Sequence, residues 1–154
     1  MVGKIDAVLA DLGETLPEAP APAANYVPYV IAGDMVYVSG QIAKGAEGLI
    51  CGKLGADLDV AAGQEAAKTC ALNLIAQLKA ACGGDLDRVT RVVKLGGFGN
   101  CTPDFEEHPA VINGASDFMG AVFGEAGAHA RAAVGTSSLP FNVAVEIEGI
   151  FQIS

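Results

Sequence analysis

Residues 130–153 form a 24-residue stretch carrying only three charges, Arg131, Glu146 and Glu148. Its apolar, β-branched runs, residues 130–137 and 143–153, read as two strands joined around Pro140-Phe141-Asn142. Along the second, Val143, Val145, Ile147 and Phe151 point one way, and Glu146, Glu148, Ile150 and Gln152 the other. A charge in such company must be paired or used, because burying it alone is costly. The two carboxylates share one face, about 6–7 Å apart along the strand. They should therefore face solvent, a subunit interface or Arg131. A structural ion pair is the commoner arrangement, but the planar fork of Arg131 is equally suited to holding a ligand carboxylate through two parallel hydrogen bonds. Gly127-Ala128-His129-Ala130 gives such a ligand a small-residue approach.

The rest of the 154-residue chain supplies partners for those strands. Ile5, Val8, Leu9 and Leu12 recur at helical spacing before Gly13, predicting a short N-terminal helix. Residues 16–24 contain three prolines, so an extended strap follows. Residues 29–31 and 35–39 are β-rich and flank Ala32-Gly33-Asp34, a hairpin signal. Ser39-Gly40-Gln41 breaks the apolar pattern, and residues 44–55 are expected as a loop or short irregular strand.

Asp57 or Asp59 caps a long helix through Val60, Ala67, Ala71, Leu74, Leu78 and Ala81, which Gly83-Gly84 ends. Residues 88–95 predict a strand, 96–103 a loop, and 110–123 a second main helix. The order α-ββ-α-β-α-ββ predicts one α+β domain over residues 1–154: an N-terminal helix and strap (1–23), then a core (24–153) with a mixed sheet and two main helices on one face. The sheet's other face is also apolar and needs cover, which a symmetric oligomer would supply.

Composition narrows the function. Hydrophobic residues make up 51% and charged residues 18%, and the net charge is −9. Acidity with scattered Lys and Arg argues against nucleic-acid binding. Cys51, Cys70, Cys82 and Cys101 have neither zinc-site nor redox-motif spacing and read as reduced, mostly buried thiols. His108 and His129 lack a metal-ligand constellation and read as surface or packing residues. No GxSxG elbow or Walker lysine loop is present. The N-terminus shows no basic segment followed by an apolar run, and no run of about 18 uncharged apolar residues occurs, so a cytoplasmic protein without a membrane span is expected.

In order along the chain, Tyr26, Val38-Ser39-Gly40-Gln41, the helix-strand unit after Val60, Asn113, Arg131-Ala132-Ala133-Val134, Leu139-Pro140 and Val145-Glu146-Ile147-Glu148 resemble the YjgF/Rid family of reactive intermediate deaminases. The resemblance covers about residues 24–152. It implies a chorismate-mutase-like fold, a homotrimer with clefts between neighbouring subunits, and hydrolysis of enamines and imines such as 2-aminoacrylate to a 2-oxo acid and ammonia, without metal or organic cofactor. By position it implies that Arg131 binds the substrate carboxylate and Glu146 positions or activates water, while Tyr26, Ser39, Gly40 and Asn113 line the cleft. Ala133 stands where the deaminases often carry Cys, and Ala24-Asn25 where Gly-Pro is common. Those departures admit a second reading, a non-catalytic protein that binds small carboxylates in the same cleft. Ribonuclease activity, ascribed to some relatives, is disfavoured by the acidity.

Overall fold

The computed structural model describes residues 2–19 and 24–154. Helix α1 (Lys4–Asp11) closes at Leu12, and Gly13, at φ 72°, turns the chain away. Only Leu9 of α1 is buried, so polar contacts do much of the docking. The Asp87 carboxylate accepts from the Lys4 and Ile5 amides, both at 2.9 Å, at the helix start where amides have no intrahelical partner. These bonds hold the Asp87 carboxyl below its ordinary value. Lys79 adds an ion pair to Asp6 at 3.1 Å. The proline-rich strap expected over residues 16–24 lies partly outside the described residues. Residues 16–19 have no regular structure.

Strands β1 (Tyr29–Ala32) and β2 (Met35–Ile42) form the expected hairpin, with Gly33 at φ 62° in the turn. A two-residue hairpin follows, β3 (Lys44–Gly45) with β4 (Gly48–Leu49). Helix α2 (Val60–Ala81) is capped by Asp59, which accepts from the Ala62 amide at 2.8 Å. Strand β5 (Val89–Asn100), helix α3 (His108–Phe123), strand β6 (Ala130–Thr136) and strand β7 (Val145–Ile153) complete the core.

The main sheet has the order β1-β2-β7-β5-β6, antiparallel except for the β5–β6 pair. The last two strands therefore do not pair with each other. β5 lies between them, and α3 makes the crossover that a parallel β5–β6 pair requires. One sheet face packs on α2 and α3. Val36, Val92, Leu95, Val145, Ile147 and Phe151 meet Leu74, Ile75, Leu78, Val111, Ile112 and Met119, all buried. The other face is open, with Val30 52%, Tyr37 46% and Val134 45% exposed.

Residues 96–100, expected as a loop, belong to β5 instead. Glycines weaken strand propensity, but here they are sites of close approach. A Cβ on Gly97 would lie 2.7 Å from Ile112 Cδ1, and one on Gly96 would lie 2.9 Å from Glu148 Cγ. Pairing to β7 on one side and β6 on the other overrides local preference.

The two main helices also meet through glycine: a Cβ on Gly114 would strike the backbone carbonyl of Gln64 in α2. Gly114→Ala gains helix propensity of about 1 kcal/mol, while backbone overpacking costs about 1–3 kcal/mol. The clash involves rigid backbone, so net destabilisation is expected, read as a lower urea midpoint; an unchanged or higher midpoint would contradict this packing.

Candidate functional site

Arg131 sits on the outermost strand, in register with Leu95, on the face that packs against α3. Three atoms of α3 hold it. Nη1 donates to Asn113 Oδ1 at 2.9 Å and Ser116 Oγ at 3.1 Å, and Nη2 donates to the Pro109 carbonyl at 3.3 Å. Asn113 and Ser116 are three residues apart and so share one helix face.

Ser116 is itself fixed by His129. Nδ1 of His129 lies 2.6 Å from the Gly127 carbonyl, which can only accept, so Nδ1 carries the proton. In the Nδ1–H tautomer Nε2 is an acceptor, and Ser116 Oγ lies 2.9 Å from it. That tautomer takes the hydroxyl proton of Ser116 and leaves an oxygen lone pair for Arg131.

All three acceptors on Arg131 are neutral: an amide oxygen, a hydroxyl and a carbonyl. The ion pairs among the described residues are Lys68 with Glu14 and Lys79 with Asp6, neither involving Arg131. The guanidinium is thus held in place by neutral groups of α3, and its charge has no carboxylate partner among the described residues.

The carboxylates occupy the open face. Glu146 is in register with Ile42 of β2 and Phe98 of β5, and Glu148 with Gly96. Two glycines make room for them. A Cβ on Gly40 would collide with Glu146 Oε2, while Gly96 lies against Glu148 Cγ. Gly40 belongs to a bulge in which Ser39 and Gly40 together oppose Glu148, between the pairs Val38–Gly149 and Gln41–Ile147. The Ser39 hydroxyl donates to the Val27 carbonyl at 2.8 Å and its amide to the Pro28 carbonyl at 2.9 Å, pinning the segment that presents Tyr26, which is exposed. Burial, followed by the nearby Glu148 charge, raises the Glu146 carboxyl above its ordinary value.

The six residues singled out in the sequence thus fall into two groups: Arg131 with Asn113, and Glu146 with Gly40, Ser39 and the Tyr26 segment. The row containing Arg131 passes through Leu95 to Gly149, three residues from Glu146. Their backbones are therefore about 10 Å apart across two strand spacings and about 10 Å apart along the strand, with side chains on opposite faces. One small ligand cannot touch both within a single chain.

Ser116 and His129 were not singled out by sequence. Their signals are modest: Ser116 follows Asn113 by three residues, and His129 precedes Arg131 by two. His108 is likewise engaged, 3.5 Å from Cys101 Sγ and edge-on to Phe105. All four cysteines are free, and only Cys51 is exposed. Among the described residues no three His, Cys, Asp or Glu side chains gather as a metal site, and no helix is long and apolar enough to cross a membrane. A concavity at the start of α2, lined by Asp57, Asp59, Phe105 and Glu107, contains none of the singled-out residues.

The comparisons with known proteins agree with this architecture. The sequence pattern of the family described as "YjgF/chorismate mutase-like, putative endoribonuclease" matches residues 6–150. Protein TCP17 of Trypanosoma cruzi is 51% identical over 154 residues, covering 99% of this chain and 96% of that protein. The crystal structure of Atu1372 from Agrobacterium tumefaciens, a protein of unknown function, is 50% identical with a TM-score of 0.91, covering 97% of this chain and 92% of its own. A structure from Shewanella oneidensis described as "a putative endoribonuclease" is 37% identical with a TM-score of 0.93, covering 97% of this chain and 99% of its own. A match over nearly the whole chain, with a mixed sheet backed by helices on one face, means that this protein belongs to the YjgF/chorismate mutase-like family.

Proposed function

We propose that the protein hydrolyses small 2-imino acids, and their enamine tautomers, to 2-oxo acids and ammonia in clefts formed between subunits of a homotrimer. The observation that carries the reading is Arg131: a guanidinium fixed by three neutral acceptors, with no carboxylate partner among the described residues, is suited to an anion brought by a ligand. Two-point binding of a carboxylate would orient the adjacent imine carbon.

The second requirement is a proton carrier. Glu146 on the open face of a neighbouring subunit would meet this need, because in one chain it is separated from Arg131 by the thickness of the sheet. Water adds to the carbon of the protonated imine as Glu146 takes a proton from it, giving a neutral carbinolamine. Glu146 then gives that proton to the nitrogen and, as the C–N bond breaks and the carbonyl forms, takes the hydroxyl proton, so that ammonia leaves. A carboxyl held above its ordinary value by burial and by Glu148 suits taking a proton and giving it back. The apolar side chains around it, Tyr37, Val134 and Ile150 among them, would be covered by the neighbouring copies. Ribonuclease chemistry fits less well, since carboxylates on the open face and a net charge of −9 repel a phosphate backbone.

Coupling the protein to enzymatically generated 2-aminoacrylate should accelerate keto-acid release. Arg131→Ala should lower kcat/KM by about 10²-fold, the loss expected for one charged hydrogen-bonding anchor. No acceleration over buffer, or a full rate in the variant, would refute the reading; keto-acid binding without turnover would instead favour the carboxylate-binding alternative.

Glu146→Gln separates activity from stability. A carboxyl whose folded pKa is raised favours the folded state when protonated, and that contribution fades as pH rises from the unfolded value through the folded one. At pH 7 Glu146→Gln should therefore melt higher than wild type while losing hydrolysis, and the two proteins should converge in melting temperature in acid. A lower melting temperature at pH 7 would show that the glutamate is stabilising.

Subunit sharing can be tested directly. Arg131→Ala and Glu146→Gln chains, unfolded together and reassembled at equal ratio, should recover about a quarter of wild-type activity if each cleft takes its arginine and glutamate from different copies. Activity no higher than in either variant alone would exclude sharing.

A further inference from the structure

The Ser116–His129–Gly127 chain is not needed to build the sheet, and it ends on the guanidinium. We infer that Ser116 and His129 are positioning residues that engage Nη1 of Arg131 and so direct a ligand carboxylate onto its Nε–Nη2 edge. This deepens the reading of Arg131 as carboxylate anchor and rests on it.

Guanidinium presents a carboxylate with two usable two-pronged edges, Nη1–Nη2 and Nε–Nη2. Nη1 has two hydrogens, and Asn113 Oδ1 and Ser116 Oγ take them. Nη1 is therefore fully engaged, and Nη2 gives one hydrogen to the Pro109 carbonyl at 3.3 Å, which leaves its second hydrogen and Nε–H for a carboxylate. Asn113 can serve Nη1 unaided, because an amide oxygen only accepts. Ser116 is less fixed, because its side chain can turn to donate to the carbonyl four residues earlier, here Ile112, and so carry its oxygen away from Nη1. His129 removes that freedom. With its Nδ1 proton committed to Gly127 at 2.6 Å, its Nε2 takes the Ser116 proton and leaves an oxygen lone pair for Nη1.

The same bonds argue against Ser116 as a nucleophile with His129 as its base. His129 Nδ1 faces the neutral Gly127 carbonyl, where a catalytic base is usually oriented by a carboxylate, and the serine oxygen already gives one of its two lone pairs to Arg131 Nη1 at 3.1 Å.

The test uses the intact protein with nitrogen-15 label, pyruvate as binding probe and 2-aminoacrylate as substrate. Wild type should show the Nδ1–H tautomer of His129 and slowly exchanging Nη1 protons on Arg131. His129→Leu should lose the Nη1 protection, weaken pyruvate binding and raise KM about tenfold with kcat within about twofold. His129→Gln, whose amide oxygen can accept from Ser116, should restore both. Ser116→Ala gives an independent variant and should behave as His129→Leu. An Nε2–H tautomer in wild type, or His129→Leu with unchanged KM and Nη1 exchange, would overturn the inference. Wild type with the expected tautomer and Nη1 protection, but no pyruvate binding or turnover, would support the positioning and overturn the anchor reading alone.

Discussion

Strand β7 lies between β2 and β5, so its two faces meet opposite demands. Toward the helices it sends Val145, Ile147, Phe151 and Ile153 into the core, where each large apolar side chain contributes roughly 1.5–3 kcal/mol. Away from them it sends Glu146, Glu148, Ile150 and Gln152. A one-residue slip would bury two carboxylates against α2 and expose the core set, so register is strongly specified. The neighbours conform to that register. Gly40 and Gly96 lack side chains where the glutamates need room, and the bulge at Ser39–Gly40 fits two residues opposite Glu148. The sheet's central strand thus places a raised carboxyl on an exposed surface as a by-product of packing its other side.

Arg131 is positioned by the same sheet from its far edge. β6 is outermost and parallel to β5, and α3 covers the face on which the arginine lies. A solvent-free ion pair would carry a large desolvation cost, whereas three neutral acceptors fix the guanidinium without neutralising its charge. Separation across the sheet makes the arrangement intrinsically intermolecular if Arg131 and Glu146 act together. Under that proposal an apolar open face and a divided set of polar groups have one explanation, since association would cover the first and assemble the second.

Much of this was legible in the residues, and the exceptions have specific causes. The alternation in β7, the Asp59 cap, the α2 stripe and the Gly33-Asp34 turn are local signals, and the structure contains them. The glycines at 96, 97 and 99 read locally as a loop because their purpose is distant: Ile112 and Glu148 occupy the space their side chains would fill. His129 read as a surface or packing residue because its partners are a carbonyl two residues back and a serine thirteen residues back on another element. Ser116 carries no local signal beyond its spacing from Asn113.

The sequence by itself determined the elements, the face on which the two glutamates lie and the family, because strand alternation, helix periodicity and an ordered set of motifs are properties of neighbouring residues. Tertiary structure decided that β5 separates β6 from β7, and so that Arg131 and Glu146 lie on opposite faces. It also decided that Arg131 is held by α3 and not by an acid. Strand order and side-chain partnership depend on how a crossover helix returns the chain to the sheet, a long-range outcome of packing that no local spacing records.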